Sequence, residues 1–315
     1  MLLLTLALLT APADSAVIRD IEVAPGETLR TTSIGTGQPL VLIPGILGAA
    51  YGYRKITGPL VARGYRCIVI EPLGYGWSSN PKKGDYSFAA QTQRVAEVLD
   101  SLGVKQALVV AQSTGAAIGF RLAILRPDLV RGFLSIGGGP SESTGTPRMR
   151  KMFKLGAFLT KLAVNESKLR HDVRREFVLN SGDTSWVTSA VIRGYTAGRA
   201  VDLDGSIDAF HRMATVKEPA SLADRLHECR APVRLLVGSV PHPAEVTREE
   251  HVLLQAKLPD FKAQTVSGSG QYIHEEQPAV VLAAVARLEA EEADEADEAD
   301  EAEEADRAEE ADRAE

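Results

Sequence analysis

Residues 107–126 limit the possible folds of this chain more than any other stretch. Ala107-Leu-Val-Val-Ala111 is apolar at every position. A strand with one wet face alternates apolar and polar residues, whereas an unbroken apolar run belongs in a sheet covered on both faces. The run stops at Gln112-Ser113-Thr114-Gly115, and a helix-like segment follows as far as Arg126, with Pro127 beyond it. The pattern is strand, abrupt turn, helix. A serine sits at the apex, with Ala111 and Gly115 two places to each side. Small neighbours suit a strained reversal of this kind. The reversal lifts the serine oxygen off the sheet and sets it over a helix N-terminus, where developing negative charge is stabilised.

The rest of the chain repeats this rhythm. Two short strands are expected within 17–34 around the turn Pro25-Gly26, then buried strands at Pro39–Ile43, Cys67–Ile70, Val130–Ile136, Pro232–Val237 and Phe261–Val266. Helices are expected at Thr92–Leu102, with Val95, Val98, Leu99 and Leu102 on one face, at Val246–Leu258 and at Pro278–Leu288. Strands alternating with helices predict an α/β architecture with a mostly parallel sheet flanked by helices. The segment 141–230 breaks the alternation with helical, Lys/Arg-containing sequence and reads as a helical cap inserted over the carboxyl ends of the strands, where ligands bind in such sheets. The core is therefore expected to comprise residues 17–140 and 231–288.

Charge is unevenly spread. Residues 289–315 carry 16 acidic and 2 basic residues, a net of −14; taken from the chain's −7, this leaves +7 on residues 1–288. The terminal segment repeats Glu-Ala-Asp, a period of three that puts no stripe on a helix, and reads as a solvated, disordered acidic tail. No Lys/Arg cluster is interleaved with aromatics as nucleic-acid binding requires. Met1–Thr10 is apolar but too short to span a bilayer, and Ala11-Pro12-Ala13 follows it. Residues 1–16 therefore read as a signal peptide without its positive n-region, which would make the protein exported (secreted or periplasmic). The alternative is an apolar segment packed on the body of a cytoplasmic protein. No other stretch has transmembrane character. Cys67 and Cys229 are the only cysteines and read as core residues. Gly137-Gly-Gly139 lacks the spacing of a phosphate-cradling loop, and no metal-ligand cluster is present in the sequence. No cofactor or metal is expected.

The order of elements resembles the α/β-hydrolase fold over about 17–288, and four segments carry the resemblance. Pro44-Gly45-Ile46-Leu47-Gly48 is similar to that family's oxyanion loop, with Pro44 in place of a histidine. Gly74-Tyr-Gly-Trp-Ser78 follows Glu71 as the family's Gly-x-Gly-x-Ser turn does. Ala111-Gln-Ser-Thr-Gly115 resembles the nucleophile elbow. Gly268-Ser-Gly-Gln-Tyr-Ile-His-Glu-Glu-Gln-Pro278 resembles the segment that supplies the catalytic histidine. The resemblance implies a serine nucleophile at Ser113 and oxyanion donors at the backbone N–H groups of Ile46 and Thr114. It also exposes a degenerate triad. The histidine position falls on Gln271, which cannot accept a proton near neutral pH. The acid position falls in Gly238-Ser-Val-Pro241-His242, where Pro241 stands for the carboxylate. The second acid position, Gly137–Gly139, has none either.

Two functions remain open on these residues. The first is a serine hydrolase of small ester or thioester substrates, acting through Ser113 with a relocated base. His274 is the main candidate, with Glu275, Glu276 or Glu245 as its partner, and His242 is the other candidate. The second is a catalytically inactive pseudohydrolase that binds a small molecule or a partner in the same pocket, with Gln271 hydrogen-bonded to Ser113. Either way a small, apolar acyl compound is the expected ligand. Among cap residues, Leu155, Phe158, Leu159, Leu162 and Trp186 are expected to line the pocket or pack within the cap.

Overall fold

A computed structural model describes residues 15–142, 160–161 and 163–291. The expected signal peptide (up to residue 14), most of the acidic tail, and Leu155, Phe158, Leu159 and Leu162 lie outside the described residues.

Eight strands form one sheet in the order β1-β2-β4-β3-β5-β6-β7-β8. β1 (Val17–Ala24) and β2 (Glu27–Ile34) are an antiparallel hairpin, and β2 joins β4 (Tyr65–Ile70) antiparallel. From β4 onward all pairings are parallel, through β3 (Gln38–Ile43), β5 (Ala107–Gln112), β6 (Val130–Ile136), β7 (Val233–Gly238) and β8 (Phe261–Val266). The apolar runs behave as two-sided strands should. Val41, Ile43, Val109 and Ala111 face one layer, which holds α2 (Phe88–Ser101) and α3 (Thr114–Leu125). Leu40, Leu42, Leu108 and Val110 face the other, which holds α1 (Arg54–Ala62) and the last helix. This is the expected α/β sheet flanked by helices.

Several boundaries differ from expectation by a few residues, and two of them have a local reason. α2 starts at Phe88 rather than Thr92, because Ser87 Oγ accepts the Ala90 N–H and the Glu218 carboxylate accepts the N–H groups of Phe88 and Ala89. The last helix continues from 278 to 291, three residues past Leu288. Glu291 is held there by Arg234 and Lys262, at 2.7 and 2.8 Å.

Among its described residues, the segment between β6 and β7 contains helices joined by short loops and no strand. α4 (Glu166–Leu179), α5 (Ser189–Val201) and α6 (Leu203–Thr215) are N-capped by the side chains of Asn165, Thr188 and Asp202. Phe177, Trp186, Tyr195 and their neighbours form a small core of the cap's own, completed by Tyr272 from the main body. Trp186 packs in this cluster, with ring centroids 5.1 Å from Phe177 and 5.3 Å from Tyr272, and does not line the cavity below.

Candidate active site

Ser113 sits between the end of β5 and the start of α3 with φ +53° and ψ −123°, a left-handed conformation that side-chain-bearing residues rarely adopt. The turn is possible because its surroundings are small. A Cβ on Gly115 would lie 2.6 Å from the carbonyl oxygens of Ile43 and Pro44, and one on Gly138 would lie 2.3 Å from Ser113 O. The serine is half-buried and opens onto a cavity of about 410 Å³ between sheet and cap. The walls are mostly apolar, with Leu47, Val164, Val173, Ile207 and Phe210 among them.

The side chain facing Ser113 is Gln271. Its Nε2 lies 2.8 Å from Ser113 Oγ and 3.4 Å from the Ala244 carbonyl oxygen. A carbonyl only accepts, so the NH₂ end of the amide faces Ala244 and the serine oxygen accepts the second hydrogen. This is the reverse of activation: a general base takes the serine proton, whereas this amide donates into the oxygen's lone pair. The main chain of Gln271 is fixed by the cap, since its N–H donates to Asn180 O at 2.7 Å. Within the loop after β7, contact with Gln271 comes from the Ala244 carbonyl and not from Pro241, which is absent from the cavity wall.

One oxyanion donor is already occupied. The N–H of Ile46 donates to Thr114 Oγ1 at 2.7 Å, and that hydroxyl also lies 3.3 Å from Tyr75 Oη. The side chain of the residue expected to give the second donor thus caps the first. The loop is braced by Glu71, a fully buried carboxylate. It accepts the Ala50 N–H at 2.8 Å and the Trp77 N–H at 2.5 Å, and burial raises its pKa. Gly76 has φ +52° and leaves no room for a side chain, because a Cβ there would meet Glu71 Oε2 at 2.1 Å.

His274 is placed away from the serine. It lies in the one-turn helix α8 (Ile273–Glu276), which follows α7 (Arg248–Lys257) and β8; its ring packs 5.5 Å from Tyr53, and it is not part of the cavity wall. Its Nδ1 is buried without a hydrogen-bond partner, and burial lowers its pKa to about 4. Its expected acid partners are engaged elsewhere. Glu275 pairs with Arg54 and Lys55 and accepts from Tyr195 Oη at 2.7 Å. Glu276 accepts the N–H groups of Gly182 and Asp183, both at 2.8 Å. Glu245 lines the cavity. His242 is buried, its pKa is lowered by burial, and it too is absent from the cavity wall.

A serine on a strand-to-helix elbow at the carboxyl end of an eight-stranded sheet, under a helical cap, identifies the fold, and comparison with known proteins agrees. Residues 38–173 match the family model described as the alpha/beta hydrolase fold. This chain is an α/β-hydrolase-fold protein. The chain is 22% identical over 253 residues to the mouse (Mus musculus) sn-1-specific diacylglycerol lipase ABHD11, covering 78% of this chain and 79% of that one. It is 23% identical over 251 residues to the uncharacterized hydrolase YugF of Bacillus subtilis, covering 79% and 89% respectively. The solved structure of the epoxide hydrolase CorEH superposes with a TM-score of 0.73 at 18% identity, over 88% of this α/β-hydrolase-fold chain and 99% of that one. Among the described residues no helix is long and apolar enough to cross a membrane.

Two site residues escape sequence reasoning. One is Ala244, which acts through its carbonyl and so leaves no side-chain signal. The other is Arg199 on α5, whose guanidinium is buried in the cavity wall. An arginine in a helical insertion reads as surface. The available signal was Gly194-x-x-x-Gly198, a small-residue stripe on the same helix. It presses against the Tyr51 ring and the Gly76 backbone.

Proposed function

We propose that this protein binds a small, largely apolar acyl compound in the cavity over Ser113, in a site laid out like a serine hydrolase's but without its proton relay. The single observation that carries this reading is the hydrogen bond from Gln271 Nε2 to Ser113 Oγ. Among the described residues no carboxylate hydrogen-bonds to the Gln271 side chain to complete a relay, and Thr114 Oγ1 sits on the Ile46 N–H that an oxyanion would need. Loss of a serine triad removes on the order of 10⁶ in turnover, and a partial oxyanion hole leaves little of the remainder.

A second reading, hydrolysis of a small ester or thioester through Ser113, draws on the left-handed backbone at Ser113. Strain of this kind costs about 1–3 kcal/mol and is ordinarily found where a site uses it. This reading needs His274 to leave its packing against Tyr53.

A fluorophosphonate probe, which reacts with activated serines, separates the two. Non-activation predicts an unlabelled wild-type chain. Labelling that disappears in Ser113→Ala would overturn the first reading in favour of the second.

A further inference from the structure

Arg199 is 1% exposed yet forms part of the cavity wall. Its Nη2 donates to the carbonyl oxygen of Ile46, and its guanidinium lies 4.7 Å from the ring centroid of Phe210. Nε and Nη1 are buried and have no hydrogen-bond partner. Burial lowers its pKa to about 10, so the group remains a cation at neutral pH. A buried cation with unmade hydrogen bonds is costly unless something completes it.

The carboxylates nearby do not complete it. The charge of Glu71 acts on Arg199, but both its oxygens are taken by main-chain N–H groups. On the cavity wall Asp172 pairs with Lys168, Glu176 lies 3.6 Å from Arg175, and Glu250 accepts the Thr247 N–H. Glu245 makes no ion pair with Arg199 among the described residues. The same side of the cavity offers further donors. Ser113 accepts from Gln271, which leaves its own hydrogen to give, and Thr114 opens α3, where the N–H groups have no partner within the helix.

We propose that Arg199 anchors an anion, and that the ligand is a monocarboxylic acid with an apolar body, its carboxylate against the Arg199 guanidinium and its chain along Leu203, Ile207 and Phe210. A single negative charge matches a single unpaired cation. Asp172, Glu176, Glu245 and Glu250 also line the cavity, and their charge disfavours a dianion such as a phosphate monoester more than a monoanion. This inference rests on the cavity being a small-molecule site, but not on whether Ser113 is activated.

The test is calorimetric titration of the full chain at neutral pH with octanoate and with octanamide, its uncharged counterpart. Wild type is expected to bind octanoate at least ten-fold more tightly than octanamide. Arg199→Gln should abolish that preference while moving octanamide affinity less than three-fold, and Arg199→Lys should keep part of it. Equal affinities in wild type, a preference that survives in Arg199→Gln, or no binding of either compound would each overturn the proposal. Should Arg199→Gln fail to fold, the acid-to-amide ratio in wild type and in Arg199→Lys still decides. Fluorophosphonate labelling reports separately on Ser113, so one reading can fail while the other stands.

Discussion

At the scale of single residues, the site is tight where backbone meets backbone. A methyl group on Gly115 would strike the carbonyls of Ile43 and Pro44 at 2.6 Å, and neither carbonyl can swing away without disturbing β3 or the loop after it. Gly115→Ala should therefore cost more than about 2 kcal/mol by urea unfolding. Gly58→Ala, in α1, meets nothing beyond its chain neighbours within 4 Å of the added carbon, and only the ring of Pro59 opposes it, so it should cost less than Gly115→Ala in the same assay. His274 makes a second residue-scale prediction. Its pKa falls from 6.5 in the unfolded chain to about 4 in the fold, with desolvation as the largest cause. Glu275 opposes the shift, and Arg54 and Lys55 reinforce it. Between those values the unfolded chain holds the extra proton, so stability drops as pH falls from about 6.5 toward 4. The expected loss is about 3 kcal/mol, at about 1.4 kcal/mol per pH unit. Unfolding free energies at pH 7, 5.5 and 4.5 should show that slope, and His274→Phe should flatten it.

At the scale of elements, the elbow, the loop after β7 and the segment ahead of α8 meet as they would in a working hydrolase, with different side chains on them. Gln271→His combined with Pro241→Asp, or separately with Ala244→Asp, should raise hydrolysis of a short-chain p-nitrophenyl ester by about ten-fold or more above wild type. Adding Thr114→Ala, which uncovers the Ile46 N–H, should give about ten-fold more. An unchanged rate in every combination would show that positions 241, 244 and 271 do not form a relay with Ser113. Much of this was legible in the sequence. Strands covered on both faces carry unbroken apolar runs, so β3, β5 and the Cys67–Ile70 stretch of β4 stand out; the elbow stands out because small residues flank its turn. Less legible was how the side chains resolve. The three-residue step from Gln271 to His274 carries the imidazole onto Tyr53 and away from Ser113, a consequence of the short helix α8 that spacing alone does not reveal. Arg199 left only the small-residue stripe Gly194-x-x-x-Gly198 as a signal, because its burial depends on α5 packing against the loops that carry Ile46, Tyr51 and Gly76.

At the scale of the whole molecule, cap and sheet are joined by polar contacts as well as by the Phe177–Trp186–Tyr195–Tyr272 cluster. Glu275 is the hub, fully buried between Arg54 and Lys55 on the sheet side and Tyr195 on the cap side. Replacing it with Gln leaves two cations without a counter-charge, and a loss of about 3 kcal/mol or more is expected. The loss should appear in thermal unfolding as one cooperative transition at lower temperature. Separate melting of the cap would show that the two layers are independent. A different consequence follows from the main-chain tie between Asn180 and Gln271. Since the tie runs through main-chain atoms, the cap can hold the backbone at this position whatever side chain it carries. Ester turnover on this scaffold is therefore expected to come or go with side chains alone, with no insertion, deletion or loop remodelling, as the Gln271→His variants would show.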